Sequence, residues 1–76
     1  MLTPAKVHFV IQALDAKHSY DNVIAVQTIA AEMNISINEL LTQIHTLNNM
    51  SFIKFTDQSK KDISLTLTGK YAVVPD

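Results

Sequence analysis

The residues able to do chemistry are few and widely spaced. Three histidines, His8, His18 and His45, match neither a zinc finger nor a helical metal pair at i and i+4, and the chain has no cysteine. No metal site and no cofactor is expected. His8 and His45 read as solvated surface residues. His18, near the line of the first helix's inner stripe, reads as half-buried. Ser36 and Glu39 place a hydroxyl and a carboxylate three residues apart, but that spacing is a capping box at a helix start. Asp57 and Asp62 bracket a polar loop and read as turn formers, or as loose surface partners of Lys60 and Lys61, an exposed interaction worth about 0–1 kcal/mol. Gly69 is the only glycine, so no glycine-rich loop cradles a phosphate. No serine or threonine stands at a recognisable triad spacing from a histidine and a carboxylate. The sequence therefore predicts a protein that is not an enzyme and has no catalytic residues.

The remaining candidates are short polar side chains and lysines, and their meaning depends on what positions them. The chain has 76 residues, of which 47% are hydrophobic and 17% charged. That composition is globular rather than disordered, and the length allows one domain, residues 1–76. A chain this short buries only about 60% of the surface its unfolded form exposes, so a second copy or a partner protein would steady it. Met1-Leu2-Thr3-Pro4 lacks the basic start and apolar run of a secretory signal. No stretch reaches the length of a membrane span. A cytoplasmic protein without membrane contact is expected, and the sequons at Asn34 and Asn49 read as chance. The formal charge is −1 and all six positive residues are lysines, whereas strong nucleic-acid binders usually carry a basic surplus.

Thr3 caps a first helix with Pro4 at its first position, and Leu2 with Val7 forms a hydrophobic staple. Val7, Val10, Ile11 and Leu14 share one stripe of this helix. Ala5, Phe9, Ala13 and Ala16 make the opposite face apolar too. A helix apolar on both sides is covered on both sides, here either by Tyr71-Ala72-Val73-Val74 or by a second copy. The polar stretch Asp15 to Asn22 ends it. Val23 to Val26 reads as a short strand, followed by a second helix over Gln27 to Met33 that lacks a good N-cap. Asn34 suits the left-handed turn that ends it. Ser36 opens a third helix, Ile37 to Asn49, with Ile37, Leu40, Leu41, Ile44 and Leu47 inward. Asn38, Glu39, Thr42, Thr46 and Asn49 lie opposite, with Gln43 and His45 on the flanks. Phe52 to Thr56 and Asp62 to Thr68 read as a hairpin that puts Ile63, Leu65 and Leu67 on one face and is closed by Gly69. Its loop carries Lys60 and Lys61.

This order resembles the winged helix-turn-helix domain of bacterial regulators of the MarR and ArsR types. Ile29-Ala30-x-x-Met33-x-Ile35 is similar to the family's apolar-alanine-x-x-apolar-x-apolar signature. Leu40, Ile44 and Leu47 match inward positions of its third helix. Phe52-Ile53 matches the opening of the wing, and Leu65-Thr66-Leu67-Thr68-x-x-Tyr71 its closing strand and exit. The likeness spans roughly residues 5 to 72. It implies an α+β, mostly α fold of three helices, a short strand and a β-hairpin wing. Asn34 and Ser51 stand where the family usually has glycine, and the third helix lacks the cations common in DNA-binding members.

The resemblance implies double-stranded DNA as a partner, with a role in transcription regulation. Asn38, Thr42, Gln43 and Thr46 would meet base edges, since amide side chains pair with adenine and threonine can touch a thymine methyl. Lys54, Lys60 and Lys61 would meet phosphates. The missing charge predicts weak, salt-sensitive contact. A dimer, joined through Ala5, Phe9, Ala13 and Tyr71, would double those contacts. The competing expectation is a winged helix used for protein–protein interaction or oligomerisation, without DNA.

Overall fold

The structure is a computed structural model, described over residues 2–17, 23–56, 58–59 and 61–72. Helix α1, Pro4–Lys17, starts as its cap predicts. The Thr3 hydroxyl accepts from the Lys6 N–H at 3.2 Å, and the Thr3 carbonyl from the Val7 N–H at 3.2 Å. Val7, Ile11 and Leu14 are buried, while Leu2 and Val10 pack at the core's edge. His18 and the rest of the stretch to Asn22 lie outside the described residues.

Strand β1, Ile24–Ala25, is shorter than the four residues expected, because Val26 already belongs to helix α2, Val26–Met33. The Val26 N–H donates to the Lys61 carbonyl at 2.8 Å. This bond ties the helix start to the sheet in place of the missing side-chain cap. Asn34 ends α2 at φ 57° and ψ 47°. Ser36 then accepts from the Glu39 N–H at 3.2 Å and opens helix α3, Ile37–Asn49, within the expected bounds. Leu40, Ile44 and Leu47 are fully buried.

Both helices end in the same way. Beyond α2, Asn34 and Ile35 donate to the carbonyls of Ala31 and Ala30; beyond α3, Ser51 and Phe52 donate to those of Asn48 and Leu47. Each is a Schellman turn with a left-handed residue and then an apolar one that folds back on the helix. The left-handed residues are Asn34 and Ser51, the latter at φ 65°.

Strands β2, Ile53–Phe55, and β3, Asp62–Leu65, form the expected antiparallel hairpin, with Ile53 opposite Leu65 and Phe55 opposite Ile63. Pairing of β1 with β3 completes a three-stranded antiparallel sheet of order β1-β3-β2. Ile24, Ile53, Ile63 and Leu65 from the sheet join the inward residues of α1, α2 and α3 in one core. The domain is α+β and mostly helical.

The second strand does not run to Thr68, and a fourth helix takes its place. Helix α4 spans Leu67–Tyr71. The Thr66 hydroxyl donates to the Ser51 carbonyl at 2.7 Å and accepts from the Gly69 N–H at 3.0 Å, capping α4 and bolting it to the turn after α3. Leu67 therefore turns outward, to 75% exposure, rather than inward. Gly69 does not close the hairpin; it lies buried inside α4, where a Cβ would overlap the Phe52 carbonyl oxygen.

Candidate functional site

Two faces of the molecule hold the residues singled out from sequence. The first is the outer side of α3 with the adjoining hairpin. The capped start of α3 fixes its rotation, so Asn38, Glu39, Thr42, His45 and Asn49 are exposed and Gln43 and Thr46 half-buried. The Thr46 hydroxyl donates to the Thr42 carbonyl at 3.1 Å. Its proton is committed, leaving a lone pair and a methyl group for an outside contact. His45 meets Phe55 of β2 with ring centroids 5.7 Å apart and planes at 56°, which sets the hairpin beside α3. Lys54 and Lys61 are exposed. Lys60 and Asp57 lie outside the described residues.

Ile37 departs from the expected inward stripe: it is 44% exposed. It occupies the first turn of α3, where a groove opens between α2, α3 and the loop end of the hairpin. Val26, Gln27, Ile37, Leu41, Lys61 and Asp62 line this groove, whose volume is about 500 Å³. Of the stripe, Leu40, Ile44 and Leu47 are fully buried, while Leu41 is half-buried beside the groove.

The second face is formed by α1 and α4. His8, expected in solvent, is 2% exposed. Its Nε2 lies 2.7 Å from the Gly69 carbonyl, and its ring stacks on Phe52 at 5.4 Å between centroids. A carbonyl oxygen only accepts, so Nε2 carries the hydrogen. One turn further along α1, the Gln12 amide donates to the carbonyls of Gly69 at 3.0 Å, Lys70 at 3.3 Å and Ala72 at 3.1 Å. These two side chains satisfy carbonyls at the end of α4 that the short helix leaves open. The readable trace was their spacing. His8 and Gln12 stand four apart, on the polar line between the two apolar faces of α1.

Docking of α4 along that polar line leaves the Phe9 face uncovered by it. Phe9 is 72% and Tyr71 81% exposed, Ala13 and Ala16 are exposed, and Ala5 is half-buried. Of the segment Tyr71-Ala72-Val73-Val74, one of the two covers expected, Tyr71 does not fold over this face, and α4 sits beside it. Val73 and Val74 lie outside the described residues. Among the described residues, no helix is long and apolar enough to cross a membrane. Compared with known proteins, the chain matches no family model, no curated protein and no solved structure.

Proposed function

We propose that this chain is a winged helix-turn-helix domain that touches double-stranded DNA weakly, with α3 as the reading helix and the β2–β3 hairpin as the wing. The observation that supports this most is the pairing of two features on one face. A capped α3 presents Asn38 and Thr42, flanked by Gln43 and Thr46, and the hairpin beside it carries the exposed Lys61 next to the first turn of α3, while Lys54 alternates with Phe55 onto the other side of β2. Amide side chains can hold adenine by two hydrogen bonds, and threonine methyls can pack on thymine. This face suits an A·T-rich site read in the major groove.

Affinity is limited by charge. Between residues 26 and 68, Lys54, Lys60 and Lys61 stand against Glu32, Glu39, Asp57 and Asp62, which is 3 − 4 = −1. Three phosphate contacts give a salt slope of only about −2.7 on a log–log plot. Fluorescence anisotropy with a labelled A·T-rich duplex tests the proposal. Binding is expected at tens of micromolar in low salt, roughly the weak end of nonspecific affinities, and is lost on adding salt. Lys60→Ala with Lys61→Ala lowers it equally for every sequence, while Gln43→Ala changes which sequence is preferred. An absence of duplex binding in low salt removes the DNA reading.

A second reading is supported by Ile37. An isoleucine 44% exposed at the mouth of an apolar groove, next to Glu39 on a helix without cations, suits a protein contact better than a phosphate-lined groove. In that reading α3 docks on another protein. Ile37→Ser then abolishes complex formation, whereas on the DNA reading it leaves duplex affinity unchanged.

A further inference from the structure

We infer that Glu39 is a specificity-determining residue of the α3 face, favouring a C·G pair opposite the first turn of α3 over every other pair. The inference rests on the DNA reading of that face and deepens it. At 100° per residue, Asn38, Thr42, Thr46 and Gln43 span an arc of about 140° on α3, and Glu39 falls inside it, between Thr46 and Gln43. A duplex that meets those four side chains therefore meets Glu39 as well. Glu39 is exposed, whereas Thr46 and Gln43 on either side of it are half-buried, so it is the more open to an outside contact. Its carboxylate is not spent on the fold. The Glu39 N–H donates to the Ser36 hydroxyl at 3.2 Å, one half of a capping box. The return bond, from the Ser36 N–H to the Glu39 carboxylate, is absent among the described residues. Helix α3 holds no lysine or arginine, so no cation of its own offsets the charge.

Such a carboxylate is repelled by phosphates and, being ionised, only accepts hydrogen bonds. In the major groove guanine shows two acceptors, and thymine an acceptor with a methyl group. Adenine shows a donor beside an acceptor, and cytosine shows its N4 amino donor alone. Cytosine is thus the one base whose edge rewards a carboxylate without also repelling it. The amide and threonine contacts of Asn38, Thr42 and Gln43 suit A·T pairs. With Glu39 among them, the preferred site is an A·T-rich run interrupted by one C·G pair.

Fluorescence anisotropy of the full chain in low salt tests this with an all-A·T duplex and a set in which a single C·G pair is moved stepwise along either strand. The parent should bind the best-placed C·G duplex about fivefold more tightly than the all-A·T one, the lower end of what one base contact discriminates. Glu39→Gln should move the preference to the all-A·T duplex, because an amide pairs with adenine through two hydrogen bonds. Glu39→Ala should bind the all-A·T duplex more tightly than the parent does and lose discrimination at that one position. Both changes are at an exposed site, and an unchanged far-ultraviolet circular dichroism spectrum keeps a folding defect out of the comparison. Equal affinity of the parent for every duplex overturns the inference and leaves the DNA reading standing. So does a uniform gain across all duplexes in Glu39→Ala with the parent's ranking kept, because the carboxylate then faces a phosphate rather than a base. Absence of any duplex binding by the parent removes the DNA reading, and this inference with it.

Discussion

The α3–hairpin face and the α1–α4 face are built on opposite plans. On the first, the helix ends are closed by local turns, and what remains outside is a row of short polar side chains with Ile37 as the apolar exception. On the second, polar side chains are spent inward: His8 and Gln12 satisfy the end of α4, and what remains outside is Phe9, Leu67 and Tyr71. The difference teaches that placement of polar groups decides what a surface offers. A histidine or glutamine that satisfies a neighbouring backbone inside the fold leaves apolar residues to face water. A capping serine that satisfies its own helix leaves the rest of that helix's polar face free.

The sharpest way to break this comparison is at Gly69. The Cβ of Gly69→Ala would collide with the backbone of Phe52, so α4 must shift off its seat. The expected loss is about 3 kcal/mol, the upper part of the range for overpacking, read from the midpoint of urea unfolding. The α1–α4 face should be lost while the isolated chain keeps the α3–hairpin face. A variant as stable as the parent would show that α4 is not seated as described.

His8→Phe is a smaller and cleaner lesion on the same side. It keeps a ring against Phe52 and removes only the donor to the Gly69 carbonyl. The carbonyl still accepts from Gln12, so the cost is about 1 kcal/mol, a net hydrogen bond without an abandoned partner. In the background of Gln12→Ala the same change should cost more, because the carbonyl then has neither donor. Equal costs in the two backgrounds would mean that the two donors do not share it.

On the other face, Ser36→Ala removes the hydroxyl that accepts from the Glu39 N–H. A lost N-cap costs about 1 kcal/mol, and the first turn of α3 should fray. Amide hydrogen exchange would register faster exchange at Glu39 and Leu40 in the variant than in the parent, with Ile44, which sits in the core, unchanged. If the proposed duplex contact uses Asn38, the same variant weakens it.

Legibility in the sequence followed how many signals agreed. Helix α3 was readable to the residue because an apolar period and a Ser-x-x-Glu cap coincide at its start. The hairpin was readable because Ile63 and Leu65 alternate with polar residues and a polar loop precedes them. Helix α4 was not, since Leu65-Thr66-Leu67-Thr68 continues the strand alternation into it. Its cap has the same hydroxyl-to-third-residue geometry as that of α3, but Gly69 stands where the capping-box signature wants Glu or Gln. A helix of five residues is also too short to show a period. His8 was missed because its burial depends on a carbonyl 61 residues away in sequence; its spacing to Gln12 marks a shared line on α1 but not what covers that line. Of the residues proposed for the α3 face, Asn38 and Thr42 are exposed and Gln43 is half-buried on the flank as expected, while Thr46, expected opposite the core, is half-buried too, a rotation that a helical wheel resolves only roughly.

The two Schellman turns that frame α3 allow the finest test, because they use different residues for the same backbone shape. Asn34 at φ 57° and Ser51 at φ 65° both occupy the left-handed region. There a side chain costs roughly 1–2 kcal/mol, and asparagine escapes part of this through local hydrogen bonding. Glycine removes that strain but loses about 0.5–1 kcal/mol in extra chain entropy. The balance for Ser51→Gly is a gain of about 0.5 kcal/mol, whereas for Asn34→Gly it is near zero. The Ser51 contact with Thr66 runs through the Ser51 carbonyl, which glycine retains, so α4 keeps its bolt. Urea midpoints of the two variants, measured side by side, should rank Ser51→Gly above Asn34→Gly. The reverse order would mean that the Ser51 side chain makes a stabilising contact outweighing its strain, and the turn after α3 would then be held by more than its backbone.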